Sequence, residues 1–161
     1  MPTPEEVTEQ IREVVAEAGF EHGVIGDDQI LMVRAPEAEG TNRSTFVSVR
    51  CEPVRETSVV VLLHAVVLVD IPDEDETKIK AALIMNDLNT REVIGRWVFY
   101  VDSLKIELEY ELLGDFLAEG DILASISALG FSSDKHDELL REELGGRRPI
   151  DPPDSEAQDE A

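Results

Sequence analysis

From Ser58 to Ile71 the chain is almost wholly apolar, and no other segment restricts its fold so tightly. Read as a strand, one side carries Val59, Val61, Leu63, Ala65, Val67 and Val69. The other carries Val60, Leu62, His64, Val66 and Leu68. A strand that is apolar on both sides has both sides covered. The short connections around it predict an antiparallel sheet, whose second face would ordinarily be wet. A terminal helix, a loop or a second copy of the chain is therefore expected over the His64 side. The apolar part, Val59 to Val69, falls well short of the roughly 20 residues that span a bilayer, so it is read as core.

The demand for burial sits in a strongly charged chain: 36 acidic residues against 14 basic ones give 161 residues a net charge of -22. Such a surface repels nucleic-acid phosphates and anionic headgroups, so neither nucleic acid nor membrane is an expected partner. It also keeps copies apart and attracts basic partners; solubility, adaptation to a salty proteome and recognition of a basic client all remain open as its purpose. Cys51 is the single cysteine, which excludes an internal disulfide and fits a small buried hydrophobe in a reducing compartment. Met-Pro-Thr-Pro-Glu-Glu lacks the basic flank and apolar stretch of a signal peptide, and a cytoplasmic location follows.

Thr3 and Glu6 have capping-box spacing with Pro4 at the first helical position, predicting a helix over Pro4 to Ala18 with Val7, Ile11, Val14, Val15 and Ala18 on one stripe. Gly23, Gly26, Asp27 and Asp28 read as punctuation before a strand over Gln29 to Ala35. Pro36 to Ser44 reads as a polar turn, and Phe46 to Glu52 as a second strand. Pro72 closes the third strand. Asp73 to Glu76 then open a helix that reaches about Leu88, where Asn89-Thr90-Arg91 breaks it. Arg96 to Val101 and Leu104 to Leu112 form a hairpin around Asp102-Ser103. A final helical pattern starts at Asp115, with Gly130 and Ser132 breaking or bending it before Leu139, Leu140 and Leu144. The expected fold is α+β: a five-stranded antiparallel sheet packed with helices in the order α-β-β-β-α-β-β-α, one domain over residues 1–146. Residues 147–161, with three prolines and five acids, read as a disordered acidic tail.

No constellation of catalytic residues stands out. The three histidines, His22, His64 and His136, have no cysteine or histidine at ligand spacing, and the chain lacks a nucleophile elbow, a phosphate loop and a dinucleotide turn. No cofactor, metal or catalytic residue is therefore expected. His64 reads as a satisfied histidine in a strand, and His22 and His136 as solvated positions. Glu107, Glu109 and Glu111 alternate with leucines and tyrosine along one strand, a pattern able to hold a cation or a basic helix, with a solvated face as the preferred reading. Asn86, Asn89 and Asp102 lie at a helix end and a turn, where side-chain amides and carboxylates cap the backbone.

Met85-Asn86-Asp87-Leu88-Asn89, followed by Trp97-Val98-Phe99-Tyr100-Val101-Asp102-Ser103-Leu104-Lys105-Ile106-Glu107-Leu108, resembles the YbjN family, whose members share the fold of type III secretion chaperones. The resemblance covers roughly residues 4 to 144. It implies an α+β domain, often dimeric among related chaperones, that handles protein surfaces. The function expected is a non-enzymatic, chaperone-like or regulatory domain that binds a protein or peptide client and pairs with itself as a homodimer. Val60, Leu62, His64, Val66 and Leu68 are the candidate contact surface. The alternatives are a structural homo-oligomer without a client and an enzyme with a dispersed acidic site.

Overall fold

The structure, a computed structural model, describes residues 2–27, 30–37, 45–54 and 58–153. Chain order is α1 (Pro4–Glu17), β1 (His22–Ile25), β2 (Ile30–Arg34), β3 (Phe46–Val54), β4 (Ser58–Leu68), α2 (Asp75–Arg91), β5 (Arg96–Tyr100), β6 (Lys105–Leu113), a 3-10 turn (Gly114–Phe116) and α3 (Glu119–Leu144). The strands form one antiparallel sheet of six, in the order β1-β2-β3-β4-β6-β5. The long apolar segment is thus β4, interior to the sheet between β3 and β6. The turn expected around residues 38–44 and the tail expected at 154–161 lie outside the described residues.

The capping box at the start of α1 is complete: the Glu6 backbone N–H donates to Thr3 Oγ1 at 3.2 Å, and the Thr3 N–H to Glu6 Oε2 at 2.8 Å. Val7, Ile11, Val14 and Val15 bury one side of the helix against the sheet. Five strands are expected from the sequence, but His22–Ile25 adds a sixth at the β2 edge. All four of its residues are exposed, so it has no alternation of apolar and polar positions to give it away. Its pairing with β2, from His22↔Val33 to Ile25↔Ile30, holds it in place.

The helix break expected at Asn89-Thr90-Arg91 does not occur, and of the break or bend expected at Gly130 and Ser132 the break does not. Asn89, Thr90 and Arg91 complete the last turn of α2 instead of breaking it. Gly130 lies inside an unbroken α3 because the helix needs a small residue there: a Cβ built on Gly130 would come within 2.3 Å of the Ala35 Cβ. Gly130→Ala weighs a helix-propensity gain of about 1 kcal/mol against an overpacking cost of about 1–3 kcal/mol. Because the clash is so close, we expect a net loss of stability, read as a lower midpoint in thermal or urea unfolding. An unchanged or higher midpoint would show that β2 and α3 are not held that closely.

The core runs along one face of the sheet. Val59, Val61, Leu63, Ala65 and Val67 of β4 are buried together with Leu31 and Val33 of β2, Val47 and Val49 of β3, and Ile106 and Leu108 of β6. The apolar stripes of α1 and α3 complete it. Of the residues expected to form the tail, the described 147–153 make contacts with the domain. Arg147 forms a two-bond antiparallel bridge with Val69, both bonds at 2.9 Å, and pairs with Asp70. Arg148 pairs with Asp151 and with the buried Asp137. The sequence hides this because the contacts are backbone bonds and ion pairs, which leave no apolar periodicity.

Candidate functional site

The other face of the sheet, over which a terminal helix, a loop or a second copy of the chain is expected, is only partly covered within the chain. Cross-strand register places Val60, Leu62, His64 and Val66 on it, beside Met32, Ser48, Val98 and Tyr100. The four β4 residues are half-buried, in contrast to their fully covered neighbours one position away. Leu68, expected on this surface, is not there. A bulge between Val66 and Leu68 pairs Leu68 with Ile106, on the core side, and leaves it 0% exposed.

The charge of this face differs from that of the chain. Arg34, Arg50, Arg96 and Lys105 share it with Glu52, Glu107, Glu109 and Glu111, so basic and acidic side chains balance. The face is thus balanced one to one, whereas the chain as a whole has 36 acids against 14 bases. Next to Val66 lies a recess of about 260 Å³, lined by the apolar Met32, Phe46, Val66, Val67, Pro149 and Ile150 and by the polar Thr45, Ser133, Asp134, Asp137 and Arg148. That volume is below the roughly 300–1,000 Å³ usual for small-molecule pockets and suits a single large side chain.

The preferred reading of Glu107, Glu109 and Glu111 as a solvated face holds for Glu111 alone. Glu107 and Glu109 are 5% and 6% exposed. His64, directly opposite Glu109 in the register, points Nδ1 to Glu107 Oε2 at 3.1 Å and lies 3.9 Å from Glu109 Oε1. Lys105 holds Glu107 Oε1 at 2.5 Å, Arg96 holds Glu109 Oε2 at 2.6 Å, and the Tyr100 hydroxyl donates to Glu109 Oε1. Accepting carboxylates keep Tyr100 protonated: the bond to Glu109, burial and the neighbouring charges push its pKa up to about 12. Alternation along β6 locates these glutamates, but their burial also depends on His64 of β4 and on Arg96 and Tyr100 of β5, which β6 itself does not disclose.

Burial alone would raise the Glu107 pKa, but the hydrogen bonds from His64 and Lys105 outweigh it and hold the carboxyl below its ordinary 4.5. A carboxyl with a depressed folded pKa stabilises the fold above its unfolded value, and that stabilisation is lost as pH falls through the folded value. We therefore expect stability to decline below about pH 4.5 and Glu107→Gln to flatten the Glu107 part of that decline. Unfolding free energies from urea titrations between pH 3 and 7 check it; parallel curves for the two proteins would refute the assignment.

The remaining expected sites fall elsewhere. Asn89 acts as a stand-in for a strand neighbour: its Nδ2 donates to Trp97 O at 2.9 Å and its Oδ1 accepts from Trp97 N at 2.7 Å, joining the end of α2 to β5. Asn86 is exposed on α2, and Asp102 lies in the turn from Val101 to Leu104 that links β5 and β6. His136, expected to be solvated, is half-buried, stacks edge-on against Trp97 with ring centroids 5.4 Å apart and reaches Glu92 at 3.0 Å. His22 is exposed. Burial pushes the Cys51 thiol pKa up, the opposite of an activated nucleophile. Among the described residues, no helix is long and apolar enough to cross a membrane.

One antiparallel sheet with helices packed on its core side and a part-open opposite face makes this an α+β domain. The family model described as T3SS (YopN, CesT) and YbjN peptide-binding chaperone 1 matches residues 5–152, and the chain belongs to that family. The fold is similar to that in the crystal structure of the ExsC-ExsE complex, with a TM-score of 0.58 and 17% identity over 87% of this chain and 97% of that one. It is also similar to an uncharacterized protein from Methanothermobacter thermautotrophicus, with a TM-score of 0.55 and 16% identity over 86% of this chain and 99% of that one. No curated protein matches the chain.

Proposed function

We propose that this chain is a non-enzymatic, cytoplasmic binding domain that holds an extended, basic-flanked peptide of a client protein across the part-open sheet face. The observation that carries the reading is the charge balance of that face in a chain of -22. Apolar client side chains would rest on Val60, Leu62 and Val66, with one anchored in the recess beside Val66. The acidic surroundings would draw basic flanks from a distance and keep unrelated acidic proteins away. Membership of a peptide-binding chaperone family supports the same reading.

Self-pairing is a second reading with its own observation. Ile79 and Leu83, one turn apart on α2, are 63% and 66% exposed, an apolar pair away from the sheet face. Two variants separate the readings. With fluorescein-labelled amphipathic peptides carrying basic flanks, Leu62→Glu is expected to weaken binding about tenfold or more, the loss of one apolar contact plus a buried charge. In sedimentation velocity, Leu83→Glu is expected to shift any dimer to monomer without that loss. Equal binding of basic-flanked and acidic-flanked peptides, or binding untouched by Leu62→Glu, would overturn the client surface. A wild-type chain that stays monomeric at high protein and salt concentrations would overturn self-pairing.

A further inference from the structure

We propose that His64, Glu107 and Glu109 form a binding site for a divalent transition-metal ion, with zinc as the best-matched class. One imidazole nitrogen and two carboxylate oxygens, from adjacent strands, have ligand atoms all within 4.8 Å of one another. Four-coordinate zinc takes such donors at about 2.0–2.2 Å, which puts neighbouring donors about 3.4 Å apart in a tetrahedron. The separations from His64 Nδ1, 3.1 Å to Glu107 and 3.9 Å to Glu109, straddle that value. The third separation, between the glutamate oxygens, is within 4.8 Å, so the three atoms need only draw together to surround one ion.

The surroundings fit a ligand set better than a chance ion-pair cluster. Each carboxylate has one oxygen held from outside, Glu107 by Lys105 and Glu109 by Arg96, and its other oxygen turned inward to His64. Partners that fix the orientation of ligating carboxylates are a regular feature of metal centres. Tyr100 adds a donor to the inward oxygen of Glu109. Lys105 and Arg96 offset the outer charge of the pair, while the two inward oxygens still face one another across His64. A divalent cation between them would replace that repulsion with attraction. His64 is 31% exposed, so the fourth coordination position opens to the sheet face, where water or a donor from a bound protein has access. The mixed nitrogen and oxygen set favours zinc, or its neighbours in the transition series, over magnesium and calcium, which favour oxygen alone.

The test reads metal uptake by the free chain, so its outcome is independent of whether a peptide binds. Chelator-stripped full-length protein is titrated calorimetrically with zinc chloride at neutral pH, in physiological salt with excess magnesium to occupy the diffuse acidic surface. One equivalent of zinc per chain is expected, and cobalt(II) in its place should give the visible bands of a low-coordinate site. His64→Ala and Glu109→Gln should each weaken zinc binding about tenfold or more, and His22→Ala should leave it unchanged. Absence of saturable binding, loss of binding to magnesium, or equal binding by His64→Ala would overturn the proposal. Should His64→Ala fail to fold, nitrogen NMR of the wild-type imidazoles decides: zinc must move the His64 Nδ1 resonance and spare those of His22 and His136, and an unmoved Nδ1 overturns the site.

Discussion

Trp97→Ala is expected to cost about 3–5 kcal/mol of folding stability and to lower the thermal midpoint on the order of 10 °C. Trp97 is 2% exposed and joins three elements. Its backbone is clamped by Asn89 at the end of α2, and its ring meets His136 of α3 edge-on. His136 in turn reaches Glu92, whose carboxyl is held below its ordinary value by hydrogen bonds from Lys135 and His136. Removing the indole therefore opens a cavity where α2, β5 and α3 converge. Trp97→Phe should cost much less: it keeps most of the apolar volume and removes a buried indole N–H that has no hydrogen-bond acceptor among the described residues. Chemical denaturation followed by far-ultraviolet circular dichroism checks both variants. A loss below about 1 kcal/mol for the alanine variant would mean this corner is not packed as described.

Ending the chain after Gly146 is expected to cost about 2–4 kcal/mol, and ending it after Pro153 keeps every contact involved. The shorter form loses both backbone bonds between Val69 and Arg147, the Asp70 pair, and Arg148 as a partner of Asp137, which is 5% exposed. It also removes the reason for Gly146 at φ 78°, where an added Cβ would lie 2.6 Å from the Val69 carbonyl oxygen. Differential scanning calorimetry of the two forms side by side gives the answer. Equal midpoints would show that the 147–153 segment rests on the domain without supporting it.

The sequence disclosed elements whose cause is local and hid those whose cause is distant. The capping box marks the start of α1, and the unbroken apolar run identifies an interior strand. Strict alternation marks β6. By contrast, β1 is held chiefly by backbone pairing with β2, α3 tolerates Gly130 because of Ala35 some 95 positions earlier, and Leu68 changes side through a bulge with no compositional mark. The candidate site divides the same way. Val60, Leu62, His64 and Val66 were legible as one face by period-two counting. The enclosure of Glu107 and Glu109 was not, because it depends on Lys105, Arg96, Tyr100 and His64 arriving from three strands.

The bulge at Val66 also acts as a ruler. Beyond Val66, Val67 and Leu68 both face the core and the strand ends, so the accessible strip runs only from Val60 to Val66, about 20 Å at the usual strand rise. A linear guest lying along it would keep step for some seven residues and then have to swerve toward the recess or lift away.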